Sequence, residues 1–574
     1  MEINGAKMFV KALQEEGVDT LFAYPGGTAI DLFDALYDAE GIDMILPRHE
    51  QALVHAADGY ARSTGRVGVC LVTSGPGATN LVTGIATANY DSVPLVCFTG
   101  QVPLNLIGND AFQEVDIVGI TRSICKYAVT VRKREDLARI IKNAFYIART
   151  GKPGPVVVDI PKDIQLAMGS DEYPSEVNIR GYKPSEGVHV GQIKRALAEL
   201  KNAKKPVFLC GGGVNIAHAR KEMQQLAEKT GIPVVTTIMG KGAIPTDHPL
   251  YVGNIGMHGN LASNKAIMES DVLFSIGCRF NDRITGTIDT FAKNAKIIHV
   301  DIDAASISRN IKVDIPIVAD AKVAISKMLE YAEPLDIKGW VDDIMNVKAE
   351  YPINMNRYDG VTPEAIIRTI NDMYSNLIVT TDVGQNQLWT TQYIDIDENK
   401  QLLTSGGLGT MGYGFPAAIG AKIGNMDKDV ICISGDGGVQ MNIQEMATAV
   451  ALELPVTLCI LNNGYLGNVR QWQELFFNKR YSSTCLRYRR RCNRDCQNPD
   501  KCCPKYSPDF VKLAESYDAK GIRVTKPEEI RPAFEAARAN TNGPTVIEFF
   551  IDPTANVFPM VPGGKSLNDM ILDF

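Results

Sequence analysis

Ser434-Gly-Asp-Gly-Gly-Val-Gln-Met-Asn-Ile-Gln-Glu445, followed by Leu461-Asn-Asn-Gly464, is the stretch on which the reading of this 574-residue chain turns. The apolar run 430–433 predicts a buried strand, Gly435-Asp-Gly-Gly438 the turn after it, and 441–454 has helical spacing. The run 456–461 predicts a second strand that delivers Asn462 and Asn463 to the same edge. That edge, outside the carboxyl ends of parallel strands, is where open α/β sheets bind ligands. Asp436 supplies a hard anionic oxygen and Asn463, 27 positions later, a neutral one. A small hard cation such as Mg2+ takes few protein oxygens and completes its shell with phosphate, so the pair predicts a diphosphate held through a divalent metal. Gly435, Gly437 and Gly438 let backbone N–H groups approach phosphate oxygens at the positive end of the following helix. Alone, Gly-Asp-Gly is equally well explained as a tight turn. The Asn-Asn pair at this distance makes it specific.

The length exceeds one hydrophobic core and predicts three or four units. Hydrophobic content of 45% with 22% charged residues is that of a globular protein. A net charge of −7 and a pI near 5.7 argue against nucleic acid as the main partner. No apolar run is long enough to span a membrane and Met1-Glu-Ile-Asn-Gly has no basic leader, so the expected address is cytoplasmic. Cys70, Cys97, Cys125, Cys210, Cys278, Cys432 and Cys459 are scattered in apolar or turn stretches, as reduced core thiols are.

Along the chain, strand-like and helical runs alternate, with glycine-rich loops at strand ends. Pro25-Gly-Gly27, Arg48-His-Glu-Gln51 at the start of a helix, and Ser74-Gly-Pro-Gly77 mark the first unit. Gly211-Gly-Gly213, Gly277-Cys-Arg279 and Asp301 follow strands in the second, the topography of a nucleotide site. Asp382-Val-Gly-Gln-Asn-Gln387 and the loop 405–414 precede the opening motif in the third. The expected fold is α/β, with three tandem doubly wound parallel-sheet domains: 1–168, 188–335 and 363–574. The polar stretch 169–187 is an expected linker, 333–362 is a second candidate linker, and 484–506 is a cysteine-rich insertion in the third unit.

The Gly-Asp-Gly/Asn-Asn pair resembles the thiamin-diphosphate (ThDP) motif, and nearly the whole chain resembles the catalytic large subunit of acetohydroxyacid synthases, also called acetolactate synthases. The strings that carry the resemblance are Tyr24-Pro-Gly-Gly27, Arg48-His-Glu50, Thr73-Ser-Gly-Pro-Gly-Ala-Thr-Asn80, Gly108-Asn-Asp-Ala-Phe-Gln-Glu114, Gly256-Met-His-Gly259, Leu408-Gly-Thr-Met411, Gln471-Trp472 and Val561-Pro-Gly-Gly564. The resemblance implies a ThDP-, Mg2+- and FAD-dependent transferase that decarboxylates pyruvate and passes a hydroxyethyl unit to a second 2-ketoacid. It implies a homodimer or tetramer, because the first domain of one subunit and the third of another hold the two ends of ThDP, and a regulatory small subunit often accompanies it.

Residue by residue, Glu50 matches the glutamate that bonds the pyrimidine ring and handles its proton. As a helix-start carboxylate it would otherwise serve the helix dipole. Pro25, Gly26, Thr73, Asn80, Gln385, Asn386, Gly409, Met411, Gly435, Asp436, Gly437, Gly438, Asn463, Tyr465 and Gly467 match ThDP contacts, with Asp436, Asn463 and the Tyr465 carbonyl as metal ligands. Phe112, Gln113, Lys126, Asn468 and Trp472 match the substrate approach, Gln113 and Lys126 also on the catalytic side. Lys152, Gly211, Gly212, Gly213, Thr237, Met257, His258, Arg279, Asp282, Arg283, Asp301 and Asp320 match FAD contacts. FAD is implied by the resemblance alone, since the reaction has no net redox step.

Three positions depart from the family: Asn386 stands for a usual histidine, Lys152 for a frequent arginine, and Asn468 for a usual methionine. The last bears on acceptor choice or leaves an unpaired polar group. The insertion reads Cys485-x6-Cys492-x3-Cys496-x5-Cys502-Cys503 among arginines. Zinc or an iron–sulfur cluster, a redox-sensitive dithiol and a basic loop without ligand all remain open. Two rival functions stand beside the main reading: another ThDP-dependent decarboxylase or carboligase, and a metal- or redox-sensing protein on an inactivated scaffold. The presence of Glu50, Asp436 and Asn463 together argues against the second.

Overall fold

The computed structural model describes residues 2–185, 187–490, 492 and 508–572. Its first unit contains β1 (Glu2–Asn4), β2 (Thr20–Ala23), β3 (Asp43–Ile45), β4 (Gly68–Val72), β5 (Leu95–Gln101), β6 (Tyr127–Thr130), β7 (Pro155–Pro161) and β8 (Met168–Ser170). The second contains β9 (Pro206–Cys210), β10 (Val234–Thr236), β11 (Tyr251–Asn254), β12 (Val272–Ile276), β13 (Lys296–Asp301) and β14 (Ile315–Val318). The third contains β15 (Leu377–Thr381), β16 (Lys400–Leu403), β17 (Asp429–Gly435), β18 (Val456–Asn462), β19 (Lys520–Val524) and β20 (Thr545–Phe550).

Each unit is built on a six-stranded parallel sheet. The first sheet runs β3-β2-β4-β5-β7-β6 and the third β16-β15-β17-β18-β20-β19, the same order when strands are counted along the chain. The middle sheet runs β11-β10-β9-β12-β13-β14, the 3-2-1-4-5-6 order of dinucleotide-binding folds. A parallel sheet covered on both faces demands strands that are apolar throughout. In β4 and β17 alternate residues accordingly enter different cores: Val69 and Leu71 one, Cys70 and Val72 another; Ile431 and Ile433 one, Val430 and Cys432 another. β1 and β8 form a separate antiparallel pair that ties the chain start to the end of the first unit.

The stretch 333–362 differs from the expected linker. It contains the helix Lys338–Glu350, whose Trp340 and Ile344 are buried in the middle core, with the Trp340 indole donating to the Pro206 carbonyl at 3.1 Å. No helix among the described residues is long and apolar enough to cross a membrane.

Units one and three are joined within the chain. The helix Glu50–Thr64 crosses Gly414–Gly424 so closely that a Cβ on Gly420 would fall 1.8 Å from the Ala56 carbonyl oxygen. Beside that crossing Arg62 bonds Asp58 (2.6 Å), Asp91 (3.0 Å) and the Thr404 carbonyl (3.0 Å). The Gly406 and Gly407 amides donate to the same Asp91, so the first unit grips the glycine-rich loop of the third.

Asp159, in β7, supplies a stability test away from the site. It is buried and accepts from Thr99 (2.7 Å), Gln101 (3.2 Å) and Thr130 (3.1 Å), yet burial outweighs these donors and pushes its carboxyl up to about 6. The folded state therefore binds the proton more tightly than the unfolded chain. Stability should fall as pH rises from about 4 to about 6, by roughly 2 kcal/mol from this group. Denaturant titrations at both ends of that window should show the loss in the wild type and a smaller one in Asp159→Asn.

Candidate active site

β17 and β18 end side by side, with Gly435 level with Leu461, and the loops after them face one another. Asp436 opens the short helix Asp436–Val439 and is only 3% exposed. Its Oδ2 accepts from the Gly464 amide at 3.0 Å, and burial pushes its carboxyl up to about 7. A buried carboxylate with backbone donors and little water is a place where a cation is favoured. Asn463 Oδ1 accepts from the Tyr465 amide at 2.9 Å, while its Nδ2 donates to Gln385 Oε1 at 3.2 Å. Gln385 in turn donates to Gln471 Oε1 and the Ala555 carbonyl, both at 3.0 Å, which fixes its amide. A Cβ on Gly467 would fall 2.1 Å from Gln385 Oε1, so glycine is required where that helix meets the amide network.

The loop 405–414 approaches from the other side. Gly409 and Gly412 have φ of +74° and +84°, conformations suited to glycine. Asp382 holds the loop by accepting from the Gly412 and Gly414 amides, and burial raises its carboxyl to about 6. Met411 thereby reaches Gly437: a Cβ there would lie 3.9 Å from the Met411 Cε. Asn386 spends its Nδ2 on the Ile433 carbonyl at 2.9 Å and keeps Oδ1 toward Gly435. The hard oxygens of Asp436 and Asn463, with the open glycine backbone at 435–438, fit a divalent cation and a diphosphate.

The second group lies in the first unit. Glu50 is the first residue of its helix, behind the cap His49, whose Nδ1 accepts from the Gln51 amide. Asn80 Nδ2 donates to Glu50 Oε2 at 2.9 Å, and Gly26 packs on Thr73 beside it. Gln113 has φ of +59°, its backbone against Gly75. Phe112 next to it is 87% exposed.

Between the units lies a cavity of about 1220 Å3 lined by Lys152, Gly211, Gly212, Gly213, Thr237, Arg279, Arg283, Asp301 and Asp320, among others. It opens at the carboxyl ends of β9 and β12, the switch point of the middle sheet, where Gly211 abuts Gly277 so closely that a Cβ would fall 2.1 Å from the Gly277 oxygen. Met257, His258 and Asp282 lie outside its lining. Asp320 is engaged as a helix cap for the Lys322 and Val323 amides, and Lys152 pairs with Asp303 at 3.3 Å.

Family models match in three blocks: "Thiamine pyrophosphate enzyme, N-terminal TPP binding domain" over residues 3–120, the central domain over 193–328 and the C-terminal TPP binding domain over 382–549. The chain is 46% identical to a probable acetolactate synthase large subunit of Methanococcus aeolicus, over 99% of this chain and 95% of that protein. The acetolactate synthase large subunit of Corynebacterium glutamicum matches at 46%, covering 99% and 90% respectively. The isozyme 3 large subunit of Escherichia coli matches at 42%, covering 99% and 98%. The chain belongs to the acetolactate synthase large-subunit family of thiamin-diphosphate enzymes.

Lys126, His258 and Arg283 already have partners within the chain. Lys126 is turned to the carboxyl end of the helix Leu137–Arg149, donating to the Ile147 carbonyl, the Thr150 carbonyl (2.8 Å) and Tyr182 Oη (3.1 Å). Burial, with the Lys152 charge, lowers its ammonium to about 8. His258 bonds the Pro559 carbonyl and is brought to about 4 by burial. Arg283, from the middle unit, lies over the Trp472 ring at 5.9 Å and donates to Met257 Sδ. Trp472 and Asn468 are one helical turn apart, and Trp472 Nε1 and Asn468 Oδ1 are buried with no hydrogen-bond partner.

Sequence reasoning missed Glu445. Only 1% exposed, it accepts the Arg48 amide at 3.0 Å on both oxygens and Thr448 Oγ1 at 2.7 Å. The third unit thus pins the turn from which Glu50 starts. Its partner is a backbone amide 397 positions away, which no residue pattern announces. The insertion's five cysteines lie largely outside the described residues: Cys496, Cys502 and Cys503 are not among them, while Cys485 and Cys492 are half-buried.

Proposed function

We propose that this chain is the catalytic subunit of an acetohydroxyacid synthase of branched-chain amino-acid biosynthesis, joining the two-carbon unit from pyruvate to pyruvate or 2-ketobutyrate to give acetolactate or acetohydroxybutyrate. The observation that carries the reading is the pair of equivalent sheets, one ending in Asp436 and Asn463 and the other presenting Glu50 held by Asn80. When bound, ThDP supplies a ring carbon nucleophile and an electron sink for decarboxylation.

Asp436, Asn463 and the Tyr465 carbonyl would hold Mg2+, and the amides of 435–438 with Gln385 and Asn386 would surround the diphosphate. Met411 and the Gly409 carbonyl would support the cofactor from the facing loop. Glu50 would hold a proton at the pyrimidine ring, with Asn80 orienting its carboxyl. Gln113 and Phe112 would border the substrate. Trp472, braced by Arg283, would shape the space beside the second 2-ketoacid, a graded preference worth about 1 to 3 kcal/mol per methylene. FAD would occupy the 1220 Å3 cavity.

In the proposed assembly Glu50 serves the cradle of a second subunit. Support comes from the exposed Phe112 on one edge and from Val469, Phe476 and Phe477, exposed on the other. A smaller regulatory subunit is proposed as a further partner, since the relatives named above are large subunits.

A second reading, a carboligase with another acceptor, is favoured by one observation: the unpartnered amide oxygen of Asn468 beside Trp472. Product analysis separates the two. With pyruvate alone the enzyme should form acetolactate, and with added 2-ketobutyrate mainly acetohydroxybutyrate. Acetaldehyde as sole product, or transfer to neither ketoacid, would refute the main reading.

A further inference from the structure

The proposed reaction leaves the cysteine-rich insertion without a role, yet its first described residues lie on the diphosphate edge. Cys485 forms an antiparallel bridge with Tyr465; Leu466 N donates to the Thr484 carbonyl and Leu486 N to the Gly464 carbonyl, each at 2.9 Å. In such a pair the flanking residues make the hydrogen bonds, so the N–H and C=O of Tyr465 face away from the insertion. The Tyr465 N–H duly donates to Asn463 Oδ1. Residues 484–486 are therefore stitched to the back of the loop that carries two of the proposed metal ligands.

Two side chains then reach over that loop. A Cβ on Gly437 would lie 3.4 Å from Leu486 Cδ1, which places Leu486 beside the Gly-Asp-Gly turn. Arg487 lies across Gly464, where a Cβ would meet its Nε at 2.5 Å and its Cζ at 3.1 Å. Gly464 has φ of +72° and no side chain, which leaves that space to the guanidinium. The amide of the same Gly464 donates to Asp436 Oδ2, and the Arg487 charge opposes the effect of burial on that carboxyl.

We propose that Arg487 is an additional diphosphate-binding residue, a guanidinium that shares neutralisation of the phosphates with the metal held at Asp436 and Asn463. The inference rests on the ThDP reading above and deepens it. A planar fork of N–H donors suits phosphate oxygens better than a point charge does. Its carrier segment is fixed by two backbone hydrogen bonds, so less ordering has to accompany binding. Residues 484–487 thereby become part of the cofactor site, and whatever unpins 484–486 removes a phosphate contact.

The test uses the full-length protein and three forms, wild type, Arg487→Gln and Arg487→Lys. ThDP affinity is measured by calorimetry at saturating Mg2+, Mg2+ affinity at saturating ThDP, and the unfolding temperature alongside. Arg487→Gln should bind ThDP about 10- to 100-fold more weakly, with Arg487→Lys between it and wild type and all three unfolding at the same temperature. ThDP affinity unchanged in Arg487→Gln would overturn the proposal. Tighter Mg2+ binding in Arg487→Gln would also overturn it, because Arg487 would then be occupying the place of the metal. Wild-type protein that binds no ThDP would refute the parent reading, a result distinct from both.

Discussion

Replacing Glu50 by glutamine should lower kcat by about 10^2- to 10^4-fold while leaving ThDP affinity within a few-fold of wild type. The glutamine keeps the size of the side chain and can still accept from Asn80, so the helix start and its His49 cap should persist. What is lost is a carboxyl able to hold and release a proton. Hydrogen–deuterium exchange at the thiazolium carbon of bound ThDP should slow by a factor comparable to the loss in kcat. Full activity in Glu50→Gln would reduce Glu50 to a helix-start carboxylate serving the dipole.

Asp436→Asn should separate folding from function most sharply. The asparagine can still accept from the Gly464 amide, and it removes a charge that burial disfavours, so the metal-free protein should be at least as stable as wild type. Metal-dependent ThDP binding should fall by about 10^2-fold or more, because a ligand is lost where changes to supporting residues already cost about 10- to 100-fold. Calorimetric titration with ThDP in the presence of Mg2+, beside a thermal melt without either, measures both effects. A melt lowered by several degrees with ThDP affinity intact would assign Asp436 a structural task only.

What could be read from the sequence follows from how local each signal is. β17 and β18 were legible because strands buried on both faces are nearly continuous apolar runs, and the glycines and amides after them cluster within a few positions. Glu50 was legible as a helix start, since its carboxylate follows the capping residue His49. The helix Lys338–Glu350 was not, because only Trp340 and Ile344, a single turn apart, are fully buried, while Val341, Met345 and Val347 are half-buried off that line and blur the helical period. Lys126 shows another limit: two of its three partners are carbonyls at the end of a helix, which no side chain encodes. Asp320 combines two tasks that a sequence cannot separate, since it caps a helix as any N-cap aspartate does and also lines the cavity. Asp58, which with Arg62 and Asp91 joins the first unit to the loop of the third, was the legible member of that group, as the one charge in the small, apolar run 52–61.

Glu50 and Asp436 lie in different units, and in the proposed assembly one subunit's Glu50 works at another's Asp436. Inactive Glu50→Gln and Asp436→Asn chains, mixed under conditions that exchange subunits, test this directly. A mixed dimer holds one site with both wild-type residues and one with neither, so random mixing should restore about a quarter of wild-type activity in acetolactate formation. No recovery, with exchange verified by differently tagged chains, would contradict a site shared between subunits.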